Sequence, residues 1–348
     1  MIPHMLLTHI CDGLRHVEGR TIGGRHYGRS ATGGYRLVFH GGGAWLSIEA
    51  TRTPSSFEPQ FAVRSEPYAK AADEDKAMRL APKRSRGPKT VETVAAYGPT
   101  DPTKLVAAPP HAREIDWDDV REHAENVNVL LEGAMLMHHQ RVNCITVRGG
   151  NLAAFTPYAG IVVPDSPAVF DHGVGGTMAV HVADIWQSLV LNAMPRMLPP
   201  NVLSHLTVKA WHDDLAVGVR IETRGFSVVL LMRRKPADAR VGAVSETIAC
   251  EDGARFKIDA RKLRSLHGDV LLAVRDGRVT VRGPAGSGEI PAKGVRGEAS
   301  VRIHAGDLWA GINRLDEVTV QIPAAKDWPV LAYNSSGTRY TMLLERGR

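Results

Sequence analysis

One supersecondary unit returns along this chain, and a recurrence of that kind leaves few folds open. Phe256 and Ile258 alternate as a strand, and Asp259 stands where a helix cap belongs. Leu263 and Leu266 form a short helical face, and Val270, Leu272 and Val274 predict a second strand. The Asp276-Gly277 turn then leads into Val279 and Val281, so the order is strand, helix, hairpin. The same order returns with Val301 and Ile303, then the helical stripe Leu308, Ile312 and Leu315, then Val318, Val320 and Ile322. It closes with the strands Val330 to Tyr333 and Tyr340 to Leu344.

Upstream, Met178, Val180 and Val182 read as a strand leading to Asp184 as a cap, with Ile185 and Leu189 as a helical face. Strands follow from Leu206 and Val208, from Leu215 to Ile221 and from Phe226 to Leu230. A further copy starts at Ile115, where Asp116 caps a helix whose apolar face is Val120, Ala124, Val127 and Leu131. Strands at Cys144 to Val147, Leu152 to Thr156 and Gly160 to Val163 complete it. Near the N-terminus, Leu7, Ile10, Leu14 and Val17 have helical spacing, and Tyr35 to Phe39 and Trp45 to Glu49 alternate around Gly41-Gly42-Gly43. This fifth copy has no clear companion.

At 348 residues, with 43% hydrophobic and 23% charged side chains, the chain has the size and composition of a globular protein of two or three domains. No uncharged apolar run is long enough for a membrane span, and His4, His9, Asp12, Arg15 and Glu18 interrupt anything resembling a signal peptide, so a cytoplasmic protein without membrane contact is expected. Cys11, Cys144 and Cys250 lie far apart without CxxC spacing, which predicts reduced thiols rather than a disulfide framework or a zinc site. The net charge of +6 permits a polyanionic partner without demanding one.

The stretch from about residue 51 to 112 breaks the pattern. It holds nine prolines between Pro54 and Pro110 and the cluster Lys83, Arg84, Arg86 and Lys89, with little apolar periodicity, and reads as a long insertion or linker with much of its length mobile. The cluster fits a solvated charge run, with a nucleic-acid contact as the other reading. Gly173-Val174-Gly175-Gly176-Thr177 lacks the Gly-Lys of a phosphate loop and reads as a flexible linker. Asp118-Asp119 and Asp213-Asp214 fit a helix start and a turn rather than catalytic dyads. No GxSxG elbow is present, and neither an enzyme, a cofactor nor a metal site is expected.

A helix plus several antiparallel strands, repeated in pairs, resembles the building unit of DNA polymerase sliding clamps. The last hundred residues carry the likeness to the bacterial and phage beta-clamp family furthest, with FKIDARKLRSL, DVLLAVRDGRVTVRG, GEASVRIHAGDLWAGINRL, DEVTVQI, WPVLAY and TRYTMLLER in the family's order. In the middle, MHHQRVNCITVRGGNLAAFTPYAGIVV is similar to the family's His-Gln loop followed by a strand, a turn and a strand ending in Thr. The resemblance covers roughly residues 113–348, and residues 1–50 match only half a domain. It departs after Thr156, where Pro157, Tyr158, Ala159 and Gly160 replace an Asp-Gly-His-Arg-like run, and no Met-Pro-Met ending is present.

The resemblance implies an α+β clamp fold of up to three domains in a crescent: 1–112 with the insertion, 113–250, and 251–348. Two or three subunits would close head to tail through edge strands into a ring around duplex DNA. Arg15, Arg20, Arg121, Arg261, Lys262, Arg264 and Arg314 would face phosphates in the bore, a sequence-independent attraction that permits sliding. The loop around His139, Gln140 and Arg141 would reach the duplex, its other reading being a plain surface turn. A DNA polymerase and a clamp loader would insert short apolar peptides into a pocket formed by Thr156, Ile161, Val330, Met342 and Leu343, each of which also reads as a core residue. The competing implication is a clamp-derived interaction or structural protein that does not encircle DNA.

Overall fold

A computed structural model of the chain describes residues 24–29, 35–41, 44–50, 107–136, 144–167, 169, 174–198, 200–223, 226–235, 239–312, 315–325, 328–334, 336 and 340–343. Its fold is mixed, with helices set beside antiparallel sheets, and the chain divides into two compact units. The first comprises residues 1–128, 143–150 and 167–236, and the second residues 129–142, 151–166 and 237–348.

The strands of the first unit are β1 (Gly24–Arg29), β2 (Tyr35–Gly41), β3 (Ala44–Ala50), β4 (Arg113–Glu114), β5 (Cys144–Arg148), β8 (Gly175–Ala179), β9 (Thr207–His212), β10 (Ala216–Thr223) and β11 (Phe226–Lys235). Helix α1 (Trp117–Leu136) starts where the Asp116 carboxylate accepts the Asp118 backbone N–H at 2.8 Å, with Asp118 and Asp119 favouring the positive end of its dipole. Val120, Ala124, Val127 and Leu131 are all buried, as their spacing predicts. Helix α2 (Val180–Gln187) continues through a π-helical turn, Ser188–Ala193, into α3 (Met194–Met197) and then α4 (Pro200–Leu203).

Two expectations change here. Asp184 lies inside α2, and the cap position belongs to Ala179, an extended residue that offers no side-chain acceptor. Gly175 to Ala179 is a fully buried strand rather than a linker, since glycines pack tightly between β5 and β11. Ala108 and Ala112, assigned from sequence to the end of the insertion, pack against Trp45, Trp211, Ala216, Val229 and Leu231. The helical spacing of Leu7 to Val17 and most of the insertion, residues 51–106, lie outside the described residues.

The second unit contains β6 (Asn151–Phe155), β7 (Ala159–Val163), α5 (Ala239–Ala249), β12 (Gly253–Asp259), α6 (Ala260–Arg264), β13 (Asp269–Arg275), β14 (Arg278–Gly283), β15 (Gly286–Ile290), β16 (Lys293–Arg296), β17 (Ala299–His304), α7 (Ala305–Ile312), β18 (Glu317–Pro323), β19 (Val330–Tyr333) and β20 (Tyr340–Leu343). One sheet runs β6-β7-β20-β19-β18-β12-β16, and a second runs β15-β14-β13-β17. Alternation dictates their faces: Ala254, Phe256 and Ile258 are buried while Arg255, Lys257 and Asp259 are exposed. Asp276 and Gly277 both take positive φ, 52° and 70°, the two-residue hairpin turn that an Asp-Gly pair favours.

The repeat read from the sequence has a specific topological form. In each pair of copies, the strand before one helix hydrogen-bonds to the strand after the other helix. Thus β12 pairs with β18 and β17 with β13, and in the first unit β4 pairs with β9 and β8 with β5. The sequence reading did not place β1, α5, β15 or β16. The last two are short and weakly apolar, and they come from a Gly-rich stretch with little period-two signal.

Candidate nucleic-acid interface and peptide pocket

Helix α6 is five residues long, and its geometry decides which cations reach solvent. Asp259 caps it, its carboxylate accepting the Arg261 N–H at 2.9 Å, while Ala260 and Leu263 are buried. Arg261 and Lys262 therefore project outward. Arg261 lies near Asp316, 3.5 Å from its Nη2, and near Asp259, 4.0 Å from its Nε. Such exposed pairs hold a side chain only loosely. Arg264 behaves differently: its guanidinium stacks on the Trp309 ring of α7, 4.4 Å from the centroid.

Beside α6 lies a groove of about 440 Å³ lined by Lys257, Asp259, Arg261, Lys262, Pro291, Ala292, Lys293, Asp316 and Glu317. Lys293 meets Glu317 at 3.7 Å. On α1, Arg121 is exposed and lies 3.7 Å from Asp118. Asp213 accepts the backbone N–H groups of Leu215 and Ala216, each at 2.7 Å, which makes it the turn residue its sequence context predicts. Arg15, Arg20, His139, Gln140, Arg141 and Arg314 lie outside the described residues.

The pocket candidates gather around β7, β19 and β20. Thr156 closes the β6–β7 hairpin: its backbone N–H donates to the Ala159 carbonyl at 2.8 Å, and its Oγ1 accepts the Ala159 N–H at 2.9 Å. Leu343 stands in register with Val330 and Ala159, and Thr341 with Ile161, whereas Met342 stands one position over, in register with Gly160 and Leu331. Thr156, Ile161 and Val330 are buried, at 3%, 0% and 2% exposure. Tyr158, at the hairpin tip, is 48% exposed, and Trp328, just before β19, is 36% exposed.

Sequence reading missed Arg240. Helix α5 lays Val241, Val244 and Ile248 on Ala153, Val162, Leu331 and Tyr333. Its first turn brings the Arg240 guanidinium 4.4 Å from the Phe155 ring centroid, and Nη1 donates to the Thr156 carbonyl at 2.8 Å. A fixed cation thus stands beside the hairpin that carries Thr156. The available signal was the apolar spacing of Val241, Val244 and Ile248 directly after Pro236.

The remaining chemistry is sparse. Burial pushes the Cys144 thiol up, with Lys235 partly opposing it. Burial also raises the Tyr333 phenol against the pull of Arg255. Among the described residues no three His, Cys, Asp or Glu side chains come together as a metal site, and no helix is long and apolar enough to cross a membrane.

No protein-family model matches the sequence, and no curated protein is significantly similar to it. Solved structures do match. The DNA polymerase III beta subunit of Thermotoga maritima superposes with a TM-score of 0.53 at 10% identity, covering 94% of this chain and 92% of that one. The Pseudomonas aeruginosa beta subunit gives 0.51 at 11% identity over 99% and 97%. The Bartonella birtlesii sliding clamp, bound to griselimycin, gives 0.52 at 12% identity over 96% and 95%. At these identities the agreement concerns backbone architecture along nearly the whole chain. The chain has the fold of the DNA polymerase III beta sliding clamps.

Proposed function

We propose that this chain is a sliding-clamp-like processivity factor that encircles duplex DNA and tethers a polymerase and its loader, without covalent chemistry of its own. The observation that carries the reading is the match to beta clamps across 94% of the chain, together with strand exchange in both of its helix-strand pairs. In this reading the chain is divided into domains 1–112, 113–250 and 251–348, and closes as a homodimer or homotrimer. Arg121, Arg261 and Lys262 face phosphates, with Arg15, Arg20, Arg264, Arg314 and the His139-Gln140-Arg141 loop as further contacts. A short apolar partner peptide binds beside Thr156, Ile161, Val330, Met342 and Leu343, with Arg240 supplying a cation for an acidic residue next to the apolar anchor.

The test is topological. Protein loaded on a nicked circular duplex is passed over a sizing column before and after the circle is linearised. Retention on the circle and release from the linear form support the ring. Equal affinity for both forms sinks it and moves the function to partner binding alone. In the same assay, Arg261→Ala with Lys262→Ala is expected to lower the salt sensitivity of loading by about 2 in the log–log slope. Arg264→Ala is expected to lower thermal stability in addition to weakening loading, because its guanidinium is stacked on Trp309.

A further inference from the structure

One carboxylate beside α6 is set in place by the backbone alone. The β12–β18 ladder runs as far as the rung of Asp259 and Glu317, and one step beyond it the Asp316 carbonyl accepts the Ala260 N–H at 2.9 Å. That bond fixes Asp316 next to the first turn of α6 and leaves its side chain 93% exposed. Among the described residues its carboxylate meets one group, the Arg261 guanidinium, 3.5 Å from Nη2.

The other carboxylates of this corner have tasks of their own. Asp259 also approaches Arg261, at 4.0 Å, but it caps α6 through the Arg261 backbone N–H. Glu317 faces Lys293 at 3.7 Å. The charge on Asp316 therefore serves neither a cap nor the core, and it decides the balance at the tip of the helix. Arg261 and Lys262 against Asp259 and Asp316 sum to zero, and without Asp316 the tip would carry one net positive charge.

We propose that Asp316 is a positioning residue that attenuates DNA binding by competing with phosphate for Arg261. The inference rests on the reading of α6 as a contact for duplex DNA. An exposed arginine–aspartate pair is weak, so it opens readily. A phosphate at contact distance then takes the guanidinium fork from Asp316, and the carboxylate recovers it when the phosphate moves on. A ring kept on DNA by closure has no need of tight contacts, and movement along the duplex is helped by contacts that exchange. Lys262, which pairs with no carboxylate among the described residues, is untouched by this competition.

The test uses the full chain and a fluorescent linear 20-base-pair duplex, with binding read by anisotropy across a salt series. Asp316→Asn keeps the shape and removes the charge, and is expected to tighten binding about two- to fivefold at low salt, with the gain fading as salt rises. Asp316→Glu should restore the parent affinity. In an Arg261→Ala background the gain from Asp316→Asn should fall below half. Asp214→Asn, which removes the partner of Arg234 at 3.6 Å in the first unit, changes the net charge equally and should give less than half the gain. No gain from Asp316→Asn in a parent that binds duplex overturns the proposal and leaves α6 as a DNA contact. Equal gains from Asp316→Asn and Asp214→Asn, or a full gain without Arg261, overturn it as well. Duplex binding that ignores replacement of Arg261 and Lys262 together by Ala removes the reading of α6, and this proposal with it.

Discussion

His123 sits inside α1 at 1% exposure, and burial lowers its pKa from 6.5 to about 4. The folded chain holds the imidazole neutral where the unfolded chain would protonate it, so stability falls as pH drops below 6.5 and levels off below about 4. Between pH 7 and pH 5 the loss should be about 2 kcal/mol. Urea unfolding at the two values measures it, and His123→Gln should flatten the dependence. Gly253 offers a second residue-scale test. Its φ is +108°, and an added Cβ would strike the Ile322 carbonyl and the backbone around Pro323. Gly253→Ala should therefore cost about 2 to 3 kcal/mol, read as a lower melting temperature.

A buried amide fixes the C-terminal end of helix α5 on the sheet. Gln321 on β18 donates to the Thr247 carbonyl at 2.6 Å and the Cys250 carbonyl at 2.9 Å, and accepts the Tyr333 hydroxyl at 3.4 Å. Those carbonyls lie at the C-terminal end of the helix, where the Thr247 carbonyl also accepts the Cys250 N–H at 3.2 Å. Gln321→Ala should destabilise the chain by about 2 to 3 kcal/mol, with faster amide exchange concentrated in the last turn of α5. At this scale the sequence was legible wherever one face is buried and the other wet. Phe256 and Ile258 against Arg255 and Lys257 announce β12, and Asp259 announces α6. It was illegible where that contrast fails. Gly175 to Ala179 is buried on both faces and reads like a linker, and β16 has no buried residue to mark it. The site was harder still. The loop of Arg141 lies outside the described residues, Thr156 sits in the β6–β7 connection, and Ile161 and Val330 sit in strands where core and pocket positions share one apolar pattern. Arg240 is brought to Thr156 from 84 residues away, a pairing that no local pattern records.

For the whole molecule, the expected mass in light scattering at micromolar concentration is two or three times the 37.8 kDa of one chain. A single-chain mass across protein concentrations would leave the clamp fold in place and remove closure. Most of the architecture was readable at this scale because the unit recurs, and five partial copies constrain one another more than any one copy constrains itself.

Strand exchange also governs how the chain comes into being on the ribosome. Gly253 to Asp259 meets β16 on one side, but its neighbour on the other side, Glu317 to Pro323, follows it out only later. At about 5 to 20 residues per second, β12 stays unpaired on that side for roughly 3 to 14 seconds. The β13–β14 hairpin can form meanwhile, and its arginines face outward from the start. Slowing elongation between β12 and β18 should therefore raise the yield of misassembled protein more than slowing it after β18.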